Sequence, residues 1–243
     1  SGAAVTDVLD LTGGTGNIGL GSGSLGTALT TGTDNVAIGE NAGDALTSGS
    51  RSTFVGDNAG GATTTANNNV GIGTDALLVN TTGASNVAVG KSSLDANTTG
   101  SDNTGLGTLA LSANTTASNN VAVGRSALEA NTTGASNVAV GYNSLDANTT
   151  ASNNTAVGSA ALGANTTGAS NTAVGSGSMD ANTTGGSNTS LGKDSLGANT
   201  TGASNVALGH NSLENNTTAD NNTAVGKSAL GDNTTGANNV AVG

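Results

Sequence analysis

A seventeen-residue unit recurs along nearly the whole chain, and that period decides what the chain can fold into. The pentad Asn-Val-Ala-Val-Gly, with small variations, starts at Asn17, Asn35, Ser52, Asn69, Asn86, Asn103, Asn120, Asn137, Asn154, Asn171, Asn188, Asn205, Asn222 and Asn239. Only the first interval, from Asn17 to Asn35, departs from the period, by a single extra residue. With the first residue of the pentad as position 1, position 5 is Gly in all fourteen copies and position 4 is always Val, Ile or Leu. Position 9 is Leu in most copies, Met at Met179, and Gly at Gly43 and Gly60. Helical repeats run longer and need an apolar face of period 3.6. A short alternating pentad, a fixed Gly and no Pro instead suit one turn of a coil of β-strands. The expected fold is all-β, a parallel β-solenoid or β-roll of about 13 rungs over 17–243, with 1–16 as a lead-in or N-terminal cap. At about 4.8 Å per rung this makes a rod roughly 60 Å long.

Within a rung, positions 2 and 4 share one face of the strand and position 3 takes the other. Reading the β-branched pair as inward gives a core ladder of Val89, Leu94, Val123, Leu128, Val140, Leu145, Val157 and Leu162. Gly at position 5 permits a corner. A second short strand is expected near Leu at position 9 and Ala at position 11. Position 3 then faces out, yet it carries Ala88, Ala122, Ala139, Ala156 and Ala173. Tiny residues along an outer face are read as an intersubunit stripe, where another chain approaches closely. Phe54, at the same position, is expected to mark a local widening or an exposed patch. Each rung buries few large aliphatic groups, and thin folds recruit disulfides, metals or further copies. The chain has no Cys and no ligand cluster, so self-association is the expected staple.

Composition excludes several classes. Five Lys plus Arg against sixteen Asp plus Glu, a net charge of −11, argue against nucleic acid and anionic membranes as partners. No apolar run approaches the roughly 18 residues of a membrane span, and no signal-peptide pattern is read at Ser1 to Val5. One His, no Cys and acids spread about one per rung give no catalytic site, no metal site and no cofactor. Lone Gly-x-Gly sequences such as Gly71-Ile72-Gly73 belong to the rung corner.

Two columns remain as candidate surfaces. Cations gather at position 6 (Lys91, Arg125, Lys193, Lys227, with His210 and Tyr142) and acids at position 10 (Asp95, Glu129, Asp146, Asp180, Glu214). Pairs such as Lys91 with Asp95 or Arg125 with Glu129 are expected to meet at a gain below about 1 kcal/mol. The column reads as a solvated face, or alternatively as a contact strip for a receptor. Asn-Thr-Thr occurs ten times, and each copy is formally a glycosylation sequon, Asn97, Asn131 and Asn165 among them. Corner hydrogen bonding and ladder stacking account for the same residues. Thr ladders on a flat face also allow ice binding.

The pentads Asn86-Val87-Ala88-Val89-Gly90 and Asn35-Val36-Ala37-Ile38-Gly39 resemble head repeats of trimeric autotransporter adhesins. The longer unit, as in Leu94 to Gly100, is similar to repeat arrays of phage tail fibres and tail-fibre-like surface proteins. The resemblance covers 17–243. It implies a homotrimer of parallel β-rolls, extracellular, on a cell surface or a virion, with a cell-surface receptor or glycan as partner. The expected function is structural and non-enzymatic: a rigid shaft or head of a fibre used in attachment. The alternatives are a homopolymeric filament stacked end to end through an open last rung, and an ice-binding protein.

Overall fold

The computed structural model describes residues 15–243, so the expected N-terminal cap lies largely outside the described residues. The chain forms two compact units, Ser1–Ser118 and Asn119–Gly243. The first contains β1 (Ile18–Leu20), β2 (Val36–Ile38), β3 (Thr53–Val55), β4 (Val70–Ile72), β5 (Val87–Val89) and β6 (Thr104–Leu106). The second contains β7 (Val121–Val123), β8 (Val138–Val140), β9 (Thr155–Val157), β10 (Thr172–Val174), β11 (Thr189–Leu191), β12 (Val206–Leu208), β13 (Thr223–Val225) and β14 (Val240–Val242). Within each unit every strand pairs in parallel with the next in sequence. Val87 lies opposite Thr104, Ala88 opposite Gly105 and Val89 opposite Leu106. Partners in the second unit are one whole repeat apart, as Val138 with Thr155 and Val206 with Thr223. At the start of the first unit Ile18 pairs with Val36, one position beyond a repeat. The fold is an all-β solenoid with one rung per repeat.

Each rung has one three-residue strand, not two. The expected second strand is a run of tight turns in which alternate residues are left-handed: Ser92 at φ 52° and Leu94 at φ 54°, Asn143 at 51° and Leu145 at 52°. This conformation costs a non-glycine residue roughly 1–2 kcal/mol. It recurs because it turns Leu at position 9 into the interior and keeps the backbone bonded to the next rung, as Leu94 N–H donates to Ala110 O at 3.0 Å. A ladder of hydrogen bonds therefore runs through the turns without strand dihedrals.

The expected faces are exchanged at the strand. Ala88, Ala122, Ala139, Ala156 and Ala173 are fully buried inside a single chain, so the stripe is core and not an outward intersubunit contact. Val89, Val123, Val140 and Val157 stand half-buried on the outer face. Leu94, Leu128, Leu145 and Leu162 are fully buried. Alternation places positions 2 and 4 together and position 3 opposite, but it does not say which face is inside. Rung thickness decides. Leu at position 9 spans the coil: a β-carbon on Gly71, at position 3, would sit 3.6 Å from Leu77 Cδ1 and 3.3 Å from Ala76 O. Only a small side chain fits beside that Leu, Ala in most rungs and Ser190 in one.

Phe54 is the exception, and it is fully buried. It makes neither a bulge nor an exposed patch, because Gly43 and Gly60 occupy the position-9 sites where Leu would stand. A β-carbon on Gly43 would be 3.1 Å from Phe54 Cδ2, and one on Gly71 would be 3.1 Å from Cδ1. The ring fills the volume these rungs leave open.

Candidate functional site

The buried polar residues come first, since they fix what remains for the surface. Asn at position 1 joins three pieces of backbone. Asn86 donates through Nδ2 to Gly100 O at 2.8 Å, and its Oδ1 accepts the N–H of Asn103 at 3.0 Å. Asn at position 12 builds a second column. Asn97 Nδ2 donates to Asn80 Oδ1 at 2.8 Å and to Gly100 O at 2.9 Å, and Asn97 Oδ1 accepts from Asn114 at 2.9 Å. Asn165 repeats the pattern with Asn148, Gly168 and Asn182. Asn131 donates to Gly134 O at 2.9 Å and accepts from Asn148 at 2.8 Å.

Asn97, Asn131 and Asn165 are fully buried. A glycan on any of these amide nitrogens would have to occupy the interior and displace those hydrogen bonds, so glycosylation at the three sites is incompatible with the fold. The following Thr is half-spent as well: Thr98 Oγ1 donates to Thr115 O at 3.0 Å. The second Thr of the motif is exposed, as at Thr99, Thr133, Thr150 and Thr167.

The charged columns lie at the corners. Neither expected ion pair, Lys91 with Asp95 or Arg125 with Glu129, forms. Arg125 instead stands over the exposed ring of Tyr142, one rung on, 5.9 Å from its centroid. Among the described residues the ion pair is Lys193 with Asp194, which holds the ammonium pKa above its usual value through a side-chain hydrogen bond and the adjacent charge. Asp95, Asp146 and Asp180 at position 10 are pushed up chiefly by desolvation, partly offset by backbone N–H donors. Like charges add to the rise: Asp75 beside Asp95, Glu129 beside Asp146, Asp194 beside Asp180. Among the described residues no three His, Cys, Asp or Glu side chains are grouped to hold a metal.

The feature that the sequence reading missed is the outer face of the strands. Positions 2 and 4 carry only Val, Ile, Leu or Thr in every rung of a chain with net charge −11. Leu106 is 37% exposed and Leu191 50%. The signal was present as two columns without a single charge.

No protein-family model, curated protein sequence or solved structure matches the chain. The class is therefore defined by the fold alone: a β-solenoid repeat protein.

Proposed function

We propose that the chain is a structural, non-enzymatic element of an extracellular, cell-surface or virion fibre, built from copies of itself as a homotrimer and used as a stiff shaft or head in attachment. The observation that carries this reading is the economy of the rung. Apart from Thr63 Oγ1 and Asn211 Oδ1, the buried amides and hydroxyls among the described residues are spent on their own turn or the next, as in the Asn86–Asn103 and Asn80–Asn97–Asn114 columns. Such an interior transmits load along the ladder and offers no reacting group. The outer face carries Val, Ile, Leu and Thr and no charge, which suits burial against another copy better than solvent. Sedimentation of the native protein tests the reading. A mass near three chains supports it, a single-chain mass removes the assembled fibre, and a broad distribution of long particles favours the end-stacked filament.

A second reading, ice binding, is favoured by the exposed hydroxyl at position 14 in successive rungs, such as Thr150, Thr167 and Thr184. It requires a free single chain and measurable thermal hysteresis.

A further inference from the structure

The geometry points to a binding site for a primary ammonium on a short unbranched aliphatic chain, in a groove formed by the rungs of β2, β3 and β4. The groove has a volume of about 560 Å³, within the range of small-molecule sites. Position 10 runs Asp44, Gly61, Leu78 there, and Val79 follows Leu78 at position 11. No other rung carries an aliphatic residue larger than Ala at either position. These two departures put apolar side chains, Val79 37% exposed, on a corner where the other rungs keep an acid, Ser or Gly at position 10. Asp44 is exposed, and among the described residues it makes no ion pair.

Gly61 is the notch between the charged and the apolar end. A β-carbon there would stand 3.5 Å from Asp44 Oδ1, 3.6 Å from Leu78 Cδ1 and 3.3 Å from Asn58 O. The methylene next to an ammonium fits that point. Its nitrogen reaches the carboxylate, with the Asn58 carbonyl as a second acceptor, and the rest of the chain runs onto Leu78 and Val79. The polar wall is held in place, since Asn41 Nδ2 donates to Asn58 Oδ1 at 3.5 Å and Asn58 Nδ2 to Asp75 Oδ1 at 3.1 Å. A carboxylate leans over a glycine in the same way at Gly163 and Gly197, 3.4 Å from Asp146 Oδ1 and 3.7 Å from Asp180 Oδ1. There the next position-10 residue is again an acid, Asp180 or Glu214, so those notches lack the apolar half. Asp44 repels an anion, and a calcium ion, which takes about six to eight oxygens, finds Leu78 on one side. The net charge of −11 raises the local concentration of cations. A diamine would lay its second charge against Leu78 and Val79, so a lysine side chain of a partner protein is the better source of this chemistry.

The test is a titration of the full chain with n-pentylammonium chloride at constant ionic strength, read on the methyl resonances of Leu78 and Val79. Saturation is expected with a Kd on the order of 1 mM, roughly tenfold tighter than for methylammonium, because the longer chain covers more apolar surface. Asp44→Asn is expected to weaken binding roughly fivefold. Leu78→Asp restores the residue type that position 10 carries at Asp95. It is expected to keep the wild-type circular dichroism and to abolish the preference for pentylammonium over methylammonium, read on Val79. Nα-acetyl-lysine methylamide is expected to match n-pentylammonium, with 1,5-diaminopentane weaker. A tighter diamine supports the ammonium site and makes a free polyamine its ligand. No saturation, saturation that sodium pentanoate reproduces, or binding unchanged in Asp44→Asn overturns the proposal. The groove lies within one chain, so the sedimentation result that decides the fibre reading is independent of these outcomes.

Discussion

Phe54 and Gly60 are two halves of one packing solution. A β-carbon on Gly60 would overlap one edge of the Phe54 ring, 2.7 Å from Cζ, and the ring occupies the space that Leu at position 9 fills elsewhere. Phe54→Ala is expected to cost about 3–5 kcal/mol by opening a cavity. Gly60→Leu alone is expected to prevent folding of these rungs through overlap with the ring. Combining Phe54→Ala with Gly60→Leu restores the common pattern, and Leu already tolerates the left-handed conformation at position 9, as Leu77 does at φ 56°. The double variant is therefore expected to recover most of the loss in urea denaturation. A double variant no more stable than Phe54→Ala would break the coupling.

Ala139 and Val140 differ by one position and should respond oppositely to charge. Ala139 is fully buried, and Lys there places an unpaired ammonium in a rung with no room for it. Ala139→Lys is expected to lose the cooperative unfolding transition, whereas Val140→Asp keeps it. A folded, cooperative Ala139→Lys protein would return position 3 to the surface.

Thr63 ends the position-12 Asn column, and its Oγ1 is buried without a partner. Thr63→Val exchanges that hydroxyl for a methyl of similar shape. Stability is expected to stay level or rise by up to about 1 kcal/mol, since no hydrogen bond is lost. By contrast, Asn97→Leu breaks three hydrogen bonds in the same column and is expected to cost about 2–4 kcal/mol. Equal effects in thermal melts would count against the ladder as a source of stability.

Acid should help this protein through three groups. The carboxyls of Asp95, Asp146 and Asp180 sit above their ordinary pKa because of desolvation. Between the ordinary carboxylate value near 4 and the raised one, the folded chain binds more protons than the unfolded chain. Their contribution to stability therefore falls as pH rises through that window and returns on acidification. The triple Asp→Asn variant is expected to remove this component, read as the difference in urea midpoint between pH 7 and the window just above pH 4. An unchanged pH dependence would show that desolvation at these corners is too weak to matter.

Much of the fold was legible because a period is hard to hide. Gly90, Leu94 and Asn97 recur at fixed spacing, and the one-rung-per-repeat register follows from them. The inward side of the strand was not legible, because Val87-Ala88-Val89 alternates identically whichever face is buried. Size was read as burial, with Val inside and Ala outside. The rung is too thin for that, since Leu94 crosses it. The left-handed turns at Ser92 and Leu94 were equally hidden, because Leu carries no local preference for that conformation. The burial of Phe54 was within reach: Gly43 and Gly60 interrupt the Leu column on either side of it in sequence, and paired departures from a repeat are better read together. At the surface, Lys91 and Asp95 lie four residues apart in one rung yet do not meet, so sequence proximity at a corner does not imply an ion pair.

The longer step between Ile18 and Val36 shows where such a chain tolerates a change of length. Leu25 stands eight residues after Asn17, as Leu94 does after Asn86, and Leu29 stands six before Asn35, as Leu46 does before Ser52. The extra residue is therefore absorbed in the turn between Leu25 and Leu29, and the next strand pairs as if nothing had been added. Growth and loss are thus quantised. Seventeen codons insert or remove a whole turn without disturbing a ladder, one codon is forgiven at a corner, and one codon inside a strand would turn its buried Ala outward. Recombination between near-identical repeats can lengthen or shorten the protein in steps that each preserve the fold.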